Sequence, residues 1–379
     1  MTVLTEAGAH TRPGQATTAE HLERHWQSSP TLNVLRQAAE TARDLPFNIQ
    51  LTWSSRLRAA GLWSHCPLVA TAQDLSLAPG TRALAAGISW AAHRDRQARA
   101  VLRHLLPVLD PDDRATLEAT VPLAALDDLG KGPFTWSVTP FFNELDLLEA
   151  RLNEMARMVD RFVVIEARQT FRGAAKPLYF QDNSHFFRRW SAQLDHVVVD
   201  LPDGPDAWAR ERHQRNVAHG VLAELGAAND DLVLLTDLDE IVRADRIDAV
   251  REATASSPVI LMMTQYWYSL EWRQEDPWLH PKAFRYGQVP AGTTYHDVRH
   301  TPYPVLPNTG WHLSWFGDEA RFDYKLASFS HSEFDTPERR QSGFSESLIS
   351  GGVDIHGRKL LRSGDHFPAS LAKIFKAEQ

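Results

Sequence analysis

The chain has 379 residues, 43% of them hydrophobic, a formal net charge of −8 and one cysteine, which is room for a large domain with a smaller one beside it. The modest acidity, spread along the chain, excludes a general nucleic-acid binder, which needs a basic face to displace counterions from phosphates; the lone Cys66 excludes an intramolecular disulfide and a cysteine-based metal site. No basic start followed by an apolar run marks a signal peptide, and no window approaches the ~20 apolar residues of a membrane span, so a cytoplasmic protein in a reducing compartment is expected.

In chain order, residues 1–20 are small and polar, with Pro13 and Gly14, and read as a disordered start. Residues 21–130 read as a helical accessory domain. Leu32, Leu35 and Ala39 mark a helix over 31–45. Leu84, Ile88, Ala91, Ala98, Leu102 and Leu105 mark one helix face over 81–109, ended by Pro107 and Pro111, with Asp110 capping the next helix. His65 beside Cys66 gives only two of the three or four ligands a zinc site needs. Gly130-Lys131-Gly132-Pro133 reads as a linker, and the texture then changes.

Over 133–379 strands and helices alternate. Strands are expected at 135–142, 161–167, 196–201, 232–235 and 259–268. Helices are expected at 144–158, with Leu145, Leu148, Leu152 and Met155 on one face, at 208–225, stopped by Gly226, and at 243–253. Such alternation predicts an α/β domain: a mostly parallel sheet flanked by helices, with ligands bound beyond the carboxyl ends of the strands.

Three groups of residues carry possible chemistry. Leu232 to Leu235 is a buried strand that delivers Asp237, Asp239 and Glu240 to its exit. Acids so clustered repel one another unless a cation sits among them, and Mg²⁺ or Mn²⁺ commonly bridges such carboxylates to substrate phosphates. Glu166, Arg168 and Lys176 follow the 161–167 strand, while Arg210, Arg212 and Arg215, with Glu211 and Asn216, lie on the helix before the acids, and the Arg and Lys among them suit phosphate or base-edge contacts. Farther on, Gly310 to Gly317 is rich in aromatics. In Ser328 to Asp335 an extended alternation puts His331 and Glu333 on one side, a metal ligand beside a general base.

These segments resemble, in order, the catalytic domain of glycosyltransferase family 17. The similarity runs through Phe141 to Glu154, Val163 to Ala167, Lys176 to Phe180, Gln214-Arg215-Asn216, Thr236 to Ile241, Gly310 to Trp315 and Lys325 to Glu333. The resemblance implies a GT-A-type, Rossmann-like fold, a nucleotide-sugar donor (a UDP-sugar first), Mn²⁺ or Mg²⁺, and inversion at the anomeric carbon. By the family pattern Asp237 and Asp239 serve the metal and diphosphate, and N-acetylglucosamine is the donor sugar it suggests.

The expected reaction is a one-step displacement onto a hydroxyl of a glycan or small-molecule acceptor. Asp239, Asp237 and His331 would hold the metal; Glu166, Arg168, Lys176, Arg212, Arg215, Asn216 and Asp237 would hold the donor. Glu333 is the first base and His312 the second. The rivals are a catalytically silent carbohydrate- or nucleotide-binding protein and a metal-dependent phosphoryl-transfer hydrolase. The second lacks a Gly-x-x-x-x-Gly-Lys-Ser/Thr loop.

Overall fold

The structure is a computed structural model that describes residues 42–59, 66–290 and 292–375. The expected disordered start, most of the helix over 31–45, and His65 lie outside these residues. The chain divides into two compact units. One ends at Gly132 and takes in Ala156–Asp160 and Arg189–Gln193; the other holds Pro133–Met155, Arg161–Arg188 and the chain from Leu194 on.

The first unit is helical: α1 (Phe47–Ala59), α2 (Pro67–Gln73), α3 (Pro79–His93), α4 (Arg96–Leu105), α5 (Pro111–Thr120) and α6 (Leu123–Asp127). Its core is built of Leu68, Ile88, Trp90, Val101, Leu102, Leu105 and Leu117. The single helix face read over 81–109 is broken. Arg94 takes a left-handed φ of 53°, and Asp95 caps α4 by accepting from Gln97 and Ala98 N–H. An Asx cap offers the backbone an alternative to continuing the helix. Asp110 caps α5 as expected, accepting from Asp113 N–H. The Gly130–Gly132 segment is held down by the buried Arg99, which donates to the carbonyls of Leu129 (2.9 Å) and Lys131 (2.8 Å).

The second unit is built on a ten-stranded mixed sheet. Its elements are β1 (Thr135–Phe141), α7 (Leu145–Met155), β2 (Arg161–Ala167), α8 (Tyr179–Asn183), β3 (Leu194–Val199), α9 (Ala207–Glu224), β4 (Leu232–Leu235), β5 (Glu240–Val242), α10 (Ile247–Ala253), β6 (Val259–Trp267), β7 (Trp272–Arg273), β8 (Lys282–Arg285), α11 (Tyr295–His300), β9 (Val305–Ser314), α12 (Glu319–Ser328), α13 (Phe344–Gly351), β10 (Leu361–Arg362) and α14 (Ala369–Ala372). Strands β3, β2, β1 and β4 run parallel in that order, as read from the alternation. Beyond β4 the sheet continues through β8, antiparallel to both of its neighbours β4 and β6, so β6 and its parallel partner β9 run in the direction of β4. The chain leaves β1 to build β2 and β3 on one side, then crosses by α9 to place β4 on the other. The carboxyl ends of β1 and β4 therefore flank a switch point, where α/β sheets open a crevice.

Helix α9 ends as predicted: Gly226 follows with φ +84°. Two readings are corrected. The helix at 243–253 begins as a 3₁₀ turn over Ala244–Arg246. The segment 328–335 is not extended: α12 runs to Ser328 and a 3₁₀ turn covers Ser332–Phe334. A period-two argument for His331 and Glu333 does not apply to a turn. Among the described residues no helix is long and apolar enough to cross a membrane.

Candidate active site

The fully buried β4 hands the chain to Thr236–Asp239, and β5 takes it up at once, pairing antiparallel with β9 through Glu240↔His312, Ile241↔Trp311 and Val242↔Gly310. The acid loop is thus fixed at both ends by strands of one sheet. Arg151 of α7, with no exposed surface, holds it from beneath. Its guanidinium donates to the carbonyls of Asp237 (3.0 Å) and Glu240 (2.8 Å), to Ser137 Oγ (2.8 Å) and to Thr236 Oγ1. Burial lowers the Arg151 pKa to about 10, so it stays charged at neutral pH.

The three acids have different surroundings. Glu240 is fully buried and serves as a structural acceptor. It receives Arg299 twice (2.9 and 2.5 Å), Trp278 Nε1 (2.6 Å) and the backbone N–H of Asp237 (2.7 Å). Asp237 is gripped on both oxygens, Oδ1 by Arg215 (2.9 Å) and Oδ2 by Arg299 (2.7 Å). Burial alone would raise its pKa, but the two guanidiniums hold it well below the usual carboxylate range. Asp239 is the loosely held one: His312 Nε2 stands 3.5 Å and Lys325 Nζ 3.9 Å from Oδ2. Here too burial raises the pKa, and His312 and Lys325 outweigh it.

Asp237, Leu238 and Asp239 line a cavity of about 240 Å³. The ends of β1 and β2, helix α9 and the last turn of α12 supply its other walls. Its charged lining is Glu144, Glu211, Asp237 and Asp239 with Lys176, Arg215 and Lys325; Phe141, Phe142, Phe171 and Phe329 give it apolar faces. Lys176 is fixed by Glu166 (3.3 Å) and by the carbonyls of Phe142 and Pro177. Glu166, buried behind it, also takes His196 (2.9 Å) and the Phe180 N–H. Burial would raise the pKa of Glu166, but His196 and Lys176 pull it below the ordinary value.

The sequence profile of glycosyltransferase family 17 matches residues 136–355, more than half of the chain, and every residue that lines the cavity falls inside that span. The chain belongs to glycosyltransferase family 17. Similar proteins include the beta-1,4-mannosyl-glycoprotein 4-beta-N-acetylglucosaminyltransferases of Rattus norvegicus, Mus musculus and Homo sapiens. Each is 24% identical over 247 residues, covering 55% of this chain and 46% of the relative. The chain therefore spans about half the length of the curated relatives it matches.

Of the residues singled out in the sequence, the family 17 chain brings Lys176, Glu211, Arg215, Asp237 and Asp239 to the cavity wall. Glu166 and His312 stand one layer behind, against Lys176 and Asp239. Arg168 pairs with Asp200 (3.3 Å) and Arg212 with Asp206 (3.1 Å), both pairs exposed and outside the lining. Asn216 accepts from the His296 N–H (2.9 Å), tying α9 to α11. His331 and Glu333 bond to each other (2.7 Å) with 45% and 59% of their side chains exposed. Trp208 meets the His331 ring edge-on, and neither His331 nor Glu333 lines the cavity. The expected metal set Asp237, Asp239 and His331 is not assembled: among the described residues no three His, Cys, Asp or Glu side chains gather to hold an ion. The reason at Asp237 is that both oxygens already face guanidiniums.

Asp239 is different. A Mg²⁺ or Mn²⁺ ion that takes its remaining ligands from phosphates and water needs only one or two protein carboxylates. A part-exposed carboxylate whose nearest basic groups, the His312 ring and the Lys325 amine, stand at 3.5 and 3.9 Å suits that part. Sequence reasoning assigned no role to Lys325, Glu144, Arg299 or Arg151. Lys325 and Glu144 lie in segments that resemble the family, but nothing local marks them as neighbours of Asp239.

Proposed function

We propose that this family 17 chain is a nucleotide-sugar-dependent glycosyltransferase. It moves a sugar, with inversion, from a UDP-sugar to a hydroxyl of a glycan or small-molecule acceptor. The observation that supports this most is the Asp239 carboxylate beside the Lys325 ammonium in a cavity at the carboxyl end of β4, inside the family span. The relatives are named as N-acetylglucosaminyltransferases, so UDP-N-acetylglucosamine is the first donor to try.

A Mn²⁺ or Mg²⁺ ion held by Asp239 would neutralise charge on the departing diphosphate. The chain's own groups do the rest. Arg215 and Arg299 fix Asp237, and His312 orients Asp239. The phenylalanines of the wall keep water from the reacting carbon. The base is a carboxylate of the cavity, because Glu333 faces solvent and His312 is turned to Asp239. Glu211 is occupied by Ser330 Oγ (2.5 Å) and Arg215 (3.2 Å). Glu144 accepts the Asn143 N–H on Oε2 (3.2 Å), while its Oε1 meets, among the described residues, no polar partner nearer than Lys325 at 3.8 Å, so Glu144 takes the acceptor's proton.

The test is turnover of UDP-N-acetylglucosamine, by transfer to mannosides and simple alcohols and by slow hydrolysis. Asp239→Asn is expected to lose about 100-fold or more, and near-normal turnover would remove the assignment. EDTA should lower the rate and Mn²⁺ restore it. Glu144→Gln should keep donor binding and lose about 100-fold in kcat; an unchanged kcat would move the base to Glu211.

A further inference from the structure

Lys325 lies in the last turn of α12 and is the lining cation least committed to the protein. The others are taken. Lys176 donates to Glu166 and two backbone carbonyls. Arg215 is divided between Glu211 and Asp237, and Arg299, behind the wall, between Asp237 and Glu240. Lys325 Nζ stands 3.8 Å from Glu144 and 3.9 Å from Asp239, close enough to feel both charges and too far to hydrogen-bond to either. Among the described residues it has no closer polar partner. An ammonium has three N–H donors, and one that is three-quarters buried leaves them unused only until oxygen acceptors arrive.

Its position is built. The Trp315 ring lies 5.3 Å beneath Nζ. Trp315 itself takes φ +59° directly after β9, a conformation that costs a non-glycine residue energy and persists where the surroundings impose it. Those surroundings are Phe322, on the same helix as Lys325 (4.8 Å between ring centres), and Phe329 (5.3 Å).

We propose that Lys325 is the diphosphate-binding residue of the donor site. Its ammonium donates to the phosphate oxygen that carries the leaving charge. The inference deepens the glycosyltransferase reading and rests on it. In the transfer, the bond between the sugar's anomeric carbon and the phosphate oxygen breaks and its electron pair stays on that oxygen. The acceptor oxygen forms the new bond to the carbon, and its proton passes to Glu144. Lys325 keeps its proton throughout and stabilises the new oxyanion by an N–H···O⁻ bond, the charge-assisted kind that is stronger than a neutral one. Asp239 and Glu144 stand on either side of the ammonium, 3.9 and 3.8 Å away.

Calorimetric binding to the full chain tests this without turnover. The probes are inorganic pyrophosphate, which is blind to the base and sugar, UDP, and uridine as the phosphate-free control, each in EDTA and again in Mn²⁺. Lys325→Met is expected to weaken pyrophosphate and UDP about ten-fold or more in both conditions. Lys325→Arg should recover most of the loss, and uridine should bind the Lys325→Met variant and the wild-type protein alike. Should Lys325→Met fail to fold by circular dichroism, Lys325→Gln carries the same comparison. Pyrophosphate affinity equal to wild type in the neutral variants overturns the assignment of Lys325 alone. A wild-type chain that binds neither pyrophosphate nor UDP overturns the donor reading and this inference together.

Discussion

At Asp237 each carboxylate oxygen meets a guanidinium, whereas two residues on the Asp239 carboxylate meets its nearest basic groups, His312 and Lys325, at 3.5 and 3.9 Å. The motif shows two equivalent acids because it carries no information about the arginines that arrive from positions 215 and 299. Arg215 was legible as a charge on a helix, and Arg299 was not singled out at all. The difference has a pH signature. The native pKa of Asp237 is depressed, so in acid the unfolded chain takes up a proton that the folded chain refuses. The stability Asp237 contributes is therefore present above the ordinary carboxyl value near pH ~4. It is lost as pH falls from there toward the native value. Denaturant melts across that range should show wild type losing stability more steeply than Asp237→Asn; equal slopes would mean that the two ion pairs contribute nothing. At pH ~7 the same variant, which leaves two buried guanidiniums short of a partner, should be less stable by about 3 kcal/mol.

At the scale of elements, β1, β2, β4, β6 and α9 were readable because their apolar runs and stop signals are local. The break at Arg94-Asp95 was missed because a continuous apolar face ran across a capping residue. The buried side of α7 was only partly readable, since it includes Arg151 and Glu154, which a hydrophobic pattern counts as exposed. The short strands β5, β7 and β8 have too few residues for a period to show. What holds β5 in place is a close approach: a Cβ on Gly310 would lie 2.2 Å from the Ile241 carbonyl oxygen and 2.9 Å from Met263 Cε. Gly310→Ala must push β9 away from β5, since the first obstacle is backbone. We expect a loss of about 1–3 kcal/mol together with weaker pyrophosphate binding, read by thermal melts and calorimetry. A variant as stable as wild type would show that the two strands can separate freely.

For the second unit as a whole, the alternation of strands and helices was enough to place a cavity at the carboxyl ends of the strands, and the acids are there. The composition of that cavity was not legible, because its members come from positions as far apart as 144, 211, 239 and 325 and only the topology gathers them. His331 and Glu333 illustrate the converse: close in sequence to Lys325, they face solvent across a turn. The anchoring of Thr236–Asp239 between β4 and β5, with Arg151 bound to its carbonyls, decides which part of the site is able to yield. A loop so tethered has no slack to follow a ligand. Accommodation of donor and acceptor then falls to α12 and the turn after it, whose backbone is paired to no strand. In deuterium-exchange mass spectrometry the peptide over 232–242 should label slowly with or without pyrophosphate, while 319–335 labels faster and slows when pyrophosphate is added. The acids would be the anvil of this site, and the helix that carries the lysine its moving jaw.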